Sequence, residues 1–209
     1  MSTAGPSENP LVDRSLRSLL EAVAAATPAP GGGSSAGWAC ALAAALVEMA
    51  AGFAVKQRDG GEVRARMVEI ATRARSLRER AIELAQRELH AYEPVLAALR
   101  LPSSDPGRSA RLDAALSEAA ESPFALARTC ADVTSLALEA SRSGSPQLRG
   151  DALAGLHIAE GACQAAARLV EINLAGRPHD DRLAELATVT EIAAANRDLG
   201  TGSDGRAGD

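Results

Sequence analysis

Apolar side chains in this chain recur in alternating steps of four and three, and that rhythm constrains the fold more than any other feature. Val63, Met67, Ile70, Ala74, Leu77, Ala81 and Leu84 form one such row. Leu112, Leu116, Ala119, Pro123, Leu126, Cys130, Val133, Ala137 and Ala140 form a second, with Ser122-Pro123 positioned to restart or kink it. Each row lines one face of a long helix. Leu42, Leu46, Met49 and Phe53 make a third row, and Leu153, Leu156, Cys163, Ala166 and Val170 a fourth. Shorter helices are expected near 14–26 and 181–197. Alternating β-branched runs are scarce, so the chain reads as all-α: a single-domain bundle of long and short helices.

Composition says what fills that bundle. The chain is 46% apolar but only 2% aromatic, with one Trp, one Tyr and two Phe among 209 residues. Alanine, leucine, valine and isoleucine must build the core, and small side chains let helices approach closely. A chain of this length buries roughly 70% of its unfolded surface, enough for a core without staples. Expected loops are Thr27–Ser34, Asp59–Gly61, Leu101–Gly107, Ser141–Gly150 and Ala175–Asp180. Residues 1–13 are expected to be flexible, 14–199 to form the helical domain, and 200–209 to be a disordered tail.

With 22 basic and 27 acidic residues, the net charge of -5 argues against nucleic acid as a partner. The apolar stretch 36–55 carries Glu48 and many alanines, a poor membrane span. Met1–Pro10 shows no signal-peptide pattern. Cys40, Cys130 and Cys163 lack disulfide or metal-ligand spacing, and His90, His157 and His179 share no metal pattern. A cytoplasmic protein without metal, and without contacts to membrane or nucleic acid, is the expectation.

Glu88 is the most informative position. Four residues after Leu84, it falls where the row calls for a core residue, and Ala91 and Val95 continue the row. A carboxyl at such a site is either paired or has a raised pKa, and a raised pKa suits a general acid near neutrality. The structural alternative is that the row ends at Leu84 and Glu88 meets solvent or an arginine such as Arg87. Tyr92 lies one turn further along. Gly31-Gly32-Gly33-Ser34 precedes the third-row helix, where glycines permit close backbone approach, Ser34 or Ser35 can cap, and free amides can bind an anion. A plain interhelical turn is the alternative. Lys56, the only lysine, ends that helix; it either complements the helix dipole or contacts a substrate anion. Asp151 opens the fourth-row helix as an N-cap or as a second polar group of the site.

The run Leu20-Glu-Ala-Val-Ala-Ala-Ala-Thr-Pro-Ala-Pro-Gly-Gly-Gly-Ser34 resembles the opening of the cyclodeaminase/cyclohydrolase family. That family holds the cyclodeaminase half of formiminotransferase-cyclodeaminase and the methenyltetrahydrofolate cyclohydrolases. Ala91-Tyr92, Val95, Leu101-Pro102, Glu121-Ser-Pro123, Gly150-Asp151 and Ile172-Asn173-Leu174 follow in the family's order. The resemblance implies a homodimer binding a tetrahydrofolate derivative as its small-molecule substrate, with no tightly bound cofactor. One implied reaction is loss of ammonia from 5-formiminotetrahydrofolate to give 5,10-methenyltetrahydrofolate. The other is hydrolysis of the methenyl compound to 10-formyltetrahydrofolate. It implies Glu88 and Asp151 as catalytic groups, and Gly31, Gly32, Gly33, Ser34, Ser35, Lys56, Tyr92 and Asn173 as the substrate-binding set. Glu88 stands where the family carries aspartate, Lys56-Gln-Arg-Asp-Gly60 replaces a more basic run, and Gly144-Ser-Pro-Gln147 replaces Gly-Asn-Pro-Asn. These departures keep two other readings open: the same scaffold turned to another ring-forming or ring-opening reaction, and a non-catalytic helical dimerisation protein.

Overall fold

The chain's punctuation decides where its helices start and stop. The computed structural model describes residues 13–57 and 60–202, and among them every regular element is helical. Helix α1 (Leu16–Ala24) is capped by Ser15, whose Oγ accepts from Ser18 N at 3.2 Å. Helix α2 (Gly32–Lys56) follows the proline-glycine loop. Gly61, at φ +88°, makes the turn into α3 (Glu62–Ala91), a backbone state that favours glycine. Pro94 belongs to the first turn of α4 (Glu93–Leu99), so α3 stops at Tyr92 rather than running through. Helices α5 (Arg108–Ala119) and α6 (Glu121–Ser143) are separated at Ala120, with Pro123 in the first turn of α6, the restart read from Ser122-Pro123. A single 3₁₀ turn (Pro146–Leu148) leads into α7 (Arg149–Asn173). Asp180 caps α8 (Asp181–Thr201) by accepting from Arg182 N.

Helices α2, α3, α6 and α7 pack on one another, and α8 lies against α6 and α7. Met67, Ile70 and Leu84 of α3, Leu136 of α6, and Leu156 and Val170 of α7 are fully buried. Each contributes about 1.5–3 kcal/mol of burial. Helices α4 and α5 pair beside this core through Val95, Ala115 and Ala119. Helix α1 buries none of its residues. Cys40, Cys130 and Cys163, far apart in sequence, are all buried and free. Burial and the neighbouring Cys40 push the Cys130 thiol well up, and burial raises Cys163 to about 12. They behave as small apolar side chains.

The third row is a correction. The core face of α2 is made by Cys40, Ala43, Ala44, Val47, Ala50, Ala51 and Ala54, whereas Leu42 is 58% exposed, Phe53 47% and Met49 39%. The larger side chains face away from the bundle because only small ones fit where α2 meets its neighbours. At Gly37 a Cβ would come within 2.7 Å of Ala85 Cβ, and at Gly155 of α7 within 3.1 Å of Ala43 O. By length and apolarity α2 could cross a bilayer. Here its inner face packs on three helices, and Glu48 pairs with Arg75 and Arg78 of α3.

Further adjustments are local. Gly32, Gly33 and Ser34 belong to the first turn of α2 rather than to the loop, and α6 and α7 leave only residues 144–148 between them. Helix α8 continues to Thr201, with Gly200 packed against Leu156 and Leu153, two residues into the expected tail. The expectations for 1–12, Arg58, Asp59 and 203–209 fall outside the described residues.

Candidate functional site

The start of α2 and the end of α3 cross closely at Gly33 and Gly37, where a side chain would meet α3. A Cβ built on Gly33 would overlap the Glu88 carboxyl itself. Two buried hydroxyls tie down the same turn of α3: Ser34 Oγ donates to Ala85 O at 3.0 Å, and Ser122 Oγ of α6 donates to Leu84 O at 3.3 Å. Glu88 projects from this clamped turn.

No cation meets it. Glu88 Oε2 is buried without a hydrogen-bond partner, and no ion pair involves Glu88 among the described residues. Desolvation raises its pKa above the ordinary glutamate value, with the Ser122 hydroxyl pulling the other way by a smaller amount. The continued core row therefore leads to a carboxyl in a partly dry site. Arg87, the cation named in the structural alternative, is exposed.

A cavity of about 200 Å³ opens over this carboxyl. Its walls are the loop residues Pro28 and Ala29, then Gly31, Gly32 and Gly33, together with Glu88 and Tyr92. Leu89, Glu93, Leu96 and Leu169 complete it. Five of the anticipated residues thus converge: Gly31, Gly32, Gly33, Glu88 and Tyr92. The first-turn amides of α2 have no intrahelical acceptor, so this rim of the cavity is rich in donors. Glu93 Oε1 lies 2.8 Å from His90 Nδ1 at the exposed edge.

The other anticipated residues stand elsewhere within the chain. Ser34 is fully buried and committed to Ala85 O, while Ser35 Oγ donates to Gly31 O at 2.9 Å. Neither caps α2, whose N-cap is Gly31 without a side-chain bond. Asn173 Nδ2 donates to Ala119 O at 3.1 Å, tying α7 to the end of α5. Lys56 ends α2, about 35 Å along the helix from Gly33, with its Nζ 5.9 Å from the Phe53 ring centre. Asp151 is in the first turn of α7, where Leu148 rather than Asp151 is the N-cap. It lies about 27 Å along α7 from the cavity residue Leu169. Helix α7 runs antiparallel to α2, so Asp151 and Lys56 both lie towards the far end of the bundle from Glu88.

Sequence reasoning missed Leu169, Leu89, Leu96 and Ser122. Only Ser122 left a signal, as the middle of Glu121-Ser-Pro123; the leucines look like any core positions. Among the described residues no group of three His, Cys, Asp or Glu is arranged to hold a metal ion.

Comparison with known proteins extends across nearly the whole bundle. Residues 15–191 match the sequence model of the formiminotransferase-cyclodeaminase family. A methenyltetrahydrofolate cyclohydrolase of Methylorubrum extorquens is 28% identical over 174 residues, 81% of this chain and 83% of that protein. A formimidoyltransferase-cyclodeaminase of Sus scrofa is 30% identical over 152 residues, 71% of this chain but 28% of that longer protein. The crystal structure of a formiminotetrahydrofolate cyclodeaminase from Thermotoga maritima superposes with a TM-score of 0.77 at 27% identity, covering 91% of this chain and 93% of that one.

Proposed function

The chain belongs to the formiminotransferase-cyclodeaminase family, and from that premise we propose that it is an enzyme acting on the one-carbon unit held between N5 and N10 of tetrahydrofolate. The observation that carries the reading is the unpaired Glu88 carboxyl, held against Gly33 at the wall of the cavity.

Both candidate reactions pass through a tetrahedral carbon between the two nitrogens, and both need a proton moved there. In methenyl hydrolysis, water adds to the bridging carbon and gives up a proton; the carbon–N5 bond then breaks as N5 takes a proton and the new hydroxyl loses its own, leaving a formyl group on N10. In deamination, N10 adds to the formimino carbon and loses its proton, and the departing nitrogen leaves as ammonia after gaining one. A carboxyl with a raised pKa can donate in one step and accept in the other. Hydrolysis is the first reaction to assay, because the relative bearing that name matches this chain over most of both lengths. The α2 amides would serve as contacts for the carboxylates of the folate tail, Tyr92 would border the ring, and the active form would be a homodimer.

Thermal unfolding with and without 5-formyltetrahydrofolate, a stable reduced folate, tests the ligand class. Binding to the native state alone adds about 2.7 kcal/mol at a hundredfold excess over the dissociation constant. A saturable rise in Tm is expected. No rise at millimolar ligand would overturn the folate reading and leave the scaffold to another ring chemistry.

A further inference from the structure

One hydroxyl beside Glu88 faces two acceptors and can serve only one at a time. Ser122, in the first turn of α6, is buried, and its Oγ donates to Leu84 O at 3.3 Å. Leu84 precedes Glu88 by one turn of α3, so the same carbonyl already accepts the Glu88 amide along the helix. The bond is long for a hydroxyl donor. The matching Ser34 bond, to Ala85 O on the next residue of α3, is 3.0 Å. The second acceptor is the Glu88 carboxyl, whose Oε2 is buried without a partner while the hydroxyl serves Leu84 O. Burial pushes the Glu88 pKa up, and the Ser122 hydroxyl draws it part of the way back.

The two acceptors differ in what they lose. Turning the hydroxyl away from Leu84 O costs one long bond and leaves that carbonyl its helical donor. Leaving a carboxylate oxygen buried and unserved costs more, because a hydrogen bond to a charged group is roughly twice as strong as a neutral one. The balance therefore depends on whether Glu88 holds its proton. The other charged and titratable groups around the site are engaged elsewhere or face solvent. Tyr92 and Glu93 share the cavity wall but are exposed, and Glu93 faces His90. Glu121, next to Ser122, pairs with Arg182. Arg168 and Glu171, on either side of Leu169 on α7, pair with each other. Arg87 is exposed, and α2 carries no charged side chain before Glu48.

We propose that Ser122 is a positioning residue for Glu88: its hydroxyl donates to Leu84 O while the carboxyl is protonated, and turns onto Oε2 once the carboxyl has given its proton up. The serine keeps its own proton throughout; only the direction of one O–H changes. That turn steadies the anion in a partly dry site. It also leaves Oε1, the oxygen beside Gly33, as the one that trades protons with substrate. The role rests on the folate reading only for the reaction it serves, since the coupling between Ser122 and Glu88 needs no substrate.

NMR titration of the Glu88 carboxyl in Ser122 variants tests the coupling directly. Ser122→Ala should move the midpoint above that of the wild type, because burial then acts unopposed. Ser122→Thr, which keeps a hydroxyl, should bring it back. Ser34→Ala is the structural control. It removes an equally buried hydroxyl from the neighbouring carbonyl, so it should weaken the fold to a similar degree and leave the Glu88 midpoint in place. In hydrolysis the carboxylate takes the first proton, so kcat/KM falls on the acid side of the midpoint. On that limb Ser122→Ala should lower kcat/KM by roughly 10- to 100-fold, the worth of a hydrogen bond to a charged group, with a smaller loss on the alkaline side. A midpoint unmoved or lowered in Ser122→Ala would reduce the serine to a clamp between α6 and α3 and overturn the proposal. Equal shifts in Ser122→Ala and Ser34→Ala, or in the Ala and Thr variants, would overturn it too. A raised midpoint in a protein that binds no folate would sink the folate reading and leave the coupling standing. Folate turnover with an unmoved midpoint would do the reverse.

Discussion

Glu48 of α2 and Glu88 of α3 both belong to the seam where these two helices cross, yet the seam treats them in opposite ways. Glu48 faces Arg75 and Arg78, with Nε–Oε distances of 2.8 and 3.2 Å, and stays on the wetter side of the helix pair. Glu88 faces Gly33 and the start of α2, where no side chain carries a charge, and one of its oxygens is buried without a partner. A paired carboxylate holds two helices in register at little cost. An unpaired one in a dry site disfavours its own ionised form. The contrast separates a carboxyl that serves the fold from one that no cation holds in its ionised form.

The sharpest way to break this contrast is Glu88→Gln. Turnover should fall by about 10²- to 10⁴-fold, the span of general acid–base catalysis, while folding and ligand binding persist. Stability follows from the direction of the pKa. The folded chain holds the Glu88 proton more tightly than the unfolded chain does, so its contribution is most favourable below the ordinary carboxylate range. That contribution is lost as pH rises through the folded-state value. Urea melts of the two proteins should therefore coincide in acid and diverge towards neutrality, with the Gln variant the more stable. Unchanged turnover in that variant would remove Glu88 from the mechanism.

Two glycines on α2 sharpen the comparison. Gly33→Ala meets the Glu88 side chain from Cγ to the carboxyl rather than backbone, so it should displace the carboxyl and cut kcat by about 10²-fold, with a smaller loss of Tm than Gly37→Ala. Gly37→Ala meets Ala85 at Cβ and backbone, and Ala81 O at 3.2 Å, so it must push the helices apart. It should cost about 1–3 kcal/mol in urea unfolding and leave the turnover of the folded fraction intact. Equal losses of activity in both would mean that the cavity answers to helix spacing rather than to Glu88. Glu48→Gln is the smallest change: at most about 1 kcal/mol, given the 70% exposure of Arg75, and no effect on turnover.

Most of the architecture was legible because α3, α6 and α7 turn leucine, isoleucine and methionine inward, and the interruption of one such row pointed to Glu88. Helix α2 misled for a physical reason. Its close crossings admit only alanine and glycine inside, so the large side chains that signal a core in other helices mark the outer surface here. Ser34, Ser35 and Asn173 were readable as polar residues at helix ends, but their partners are backbone carbonyls, which leave no trace in a sequence. Lys56 and Asp151 sit far from Glu88 in a single chain because both long helices extend away from the cavity. Spacing along a sequence holds no information about which ends of helices meet, within a chain or between two.

The most direct measurement is the titration of the Glu88 carboxyl by NMR, with ¹³C in glutamate side chains and Glu88→Gln for assignment. A midpoint above the ordinary glutamate value of 4.5 is expected, set by burial without a cation. Glu139, held by the Arg66 guanidinium, should titrate below that value. A midpoint for Glu88 at or below 4.5 would mean that the carboxyl is paired or solvated after all, and would contradict its role as the proton donor.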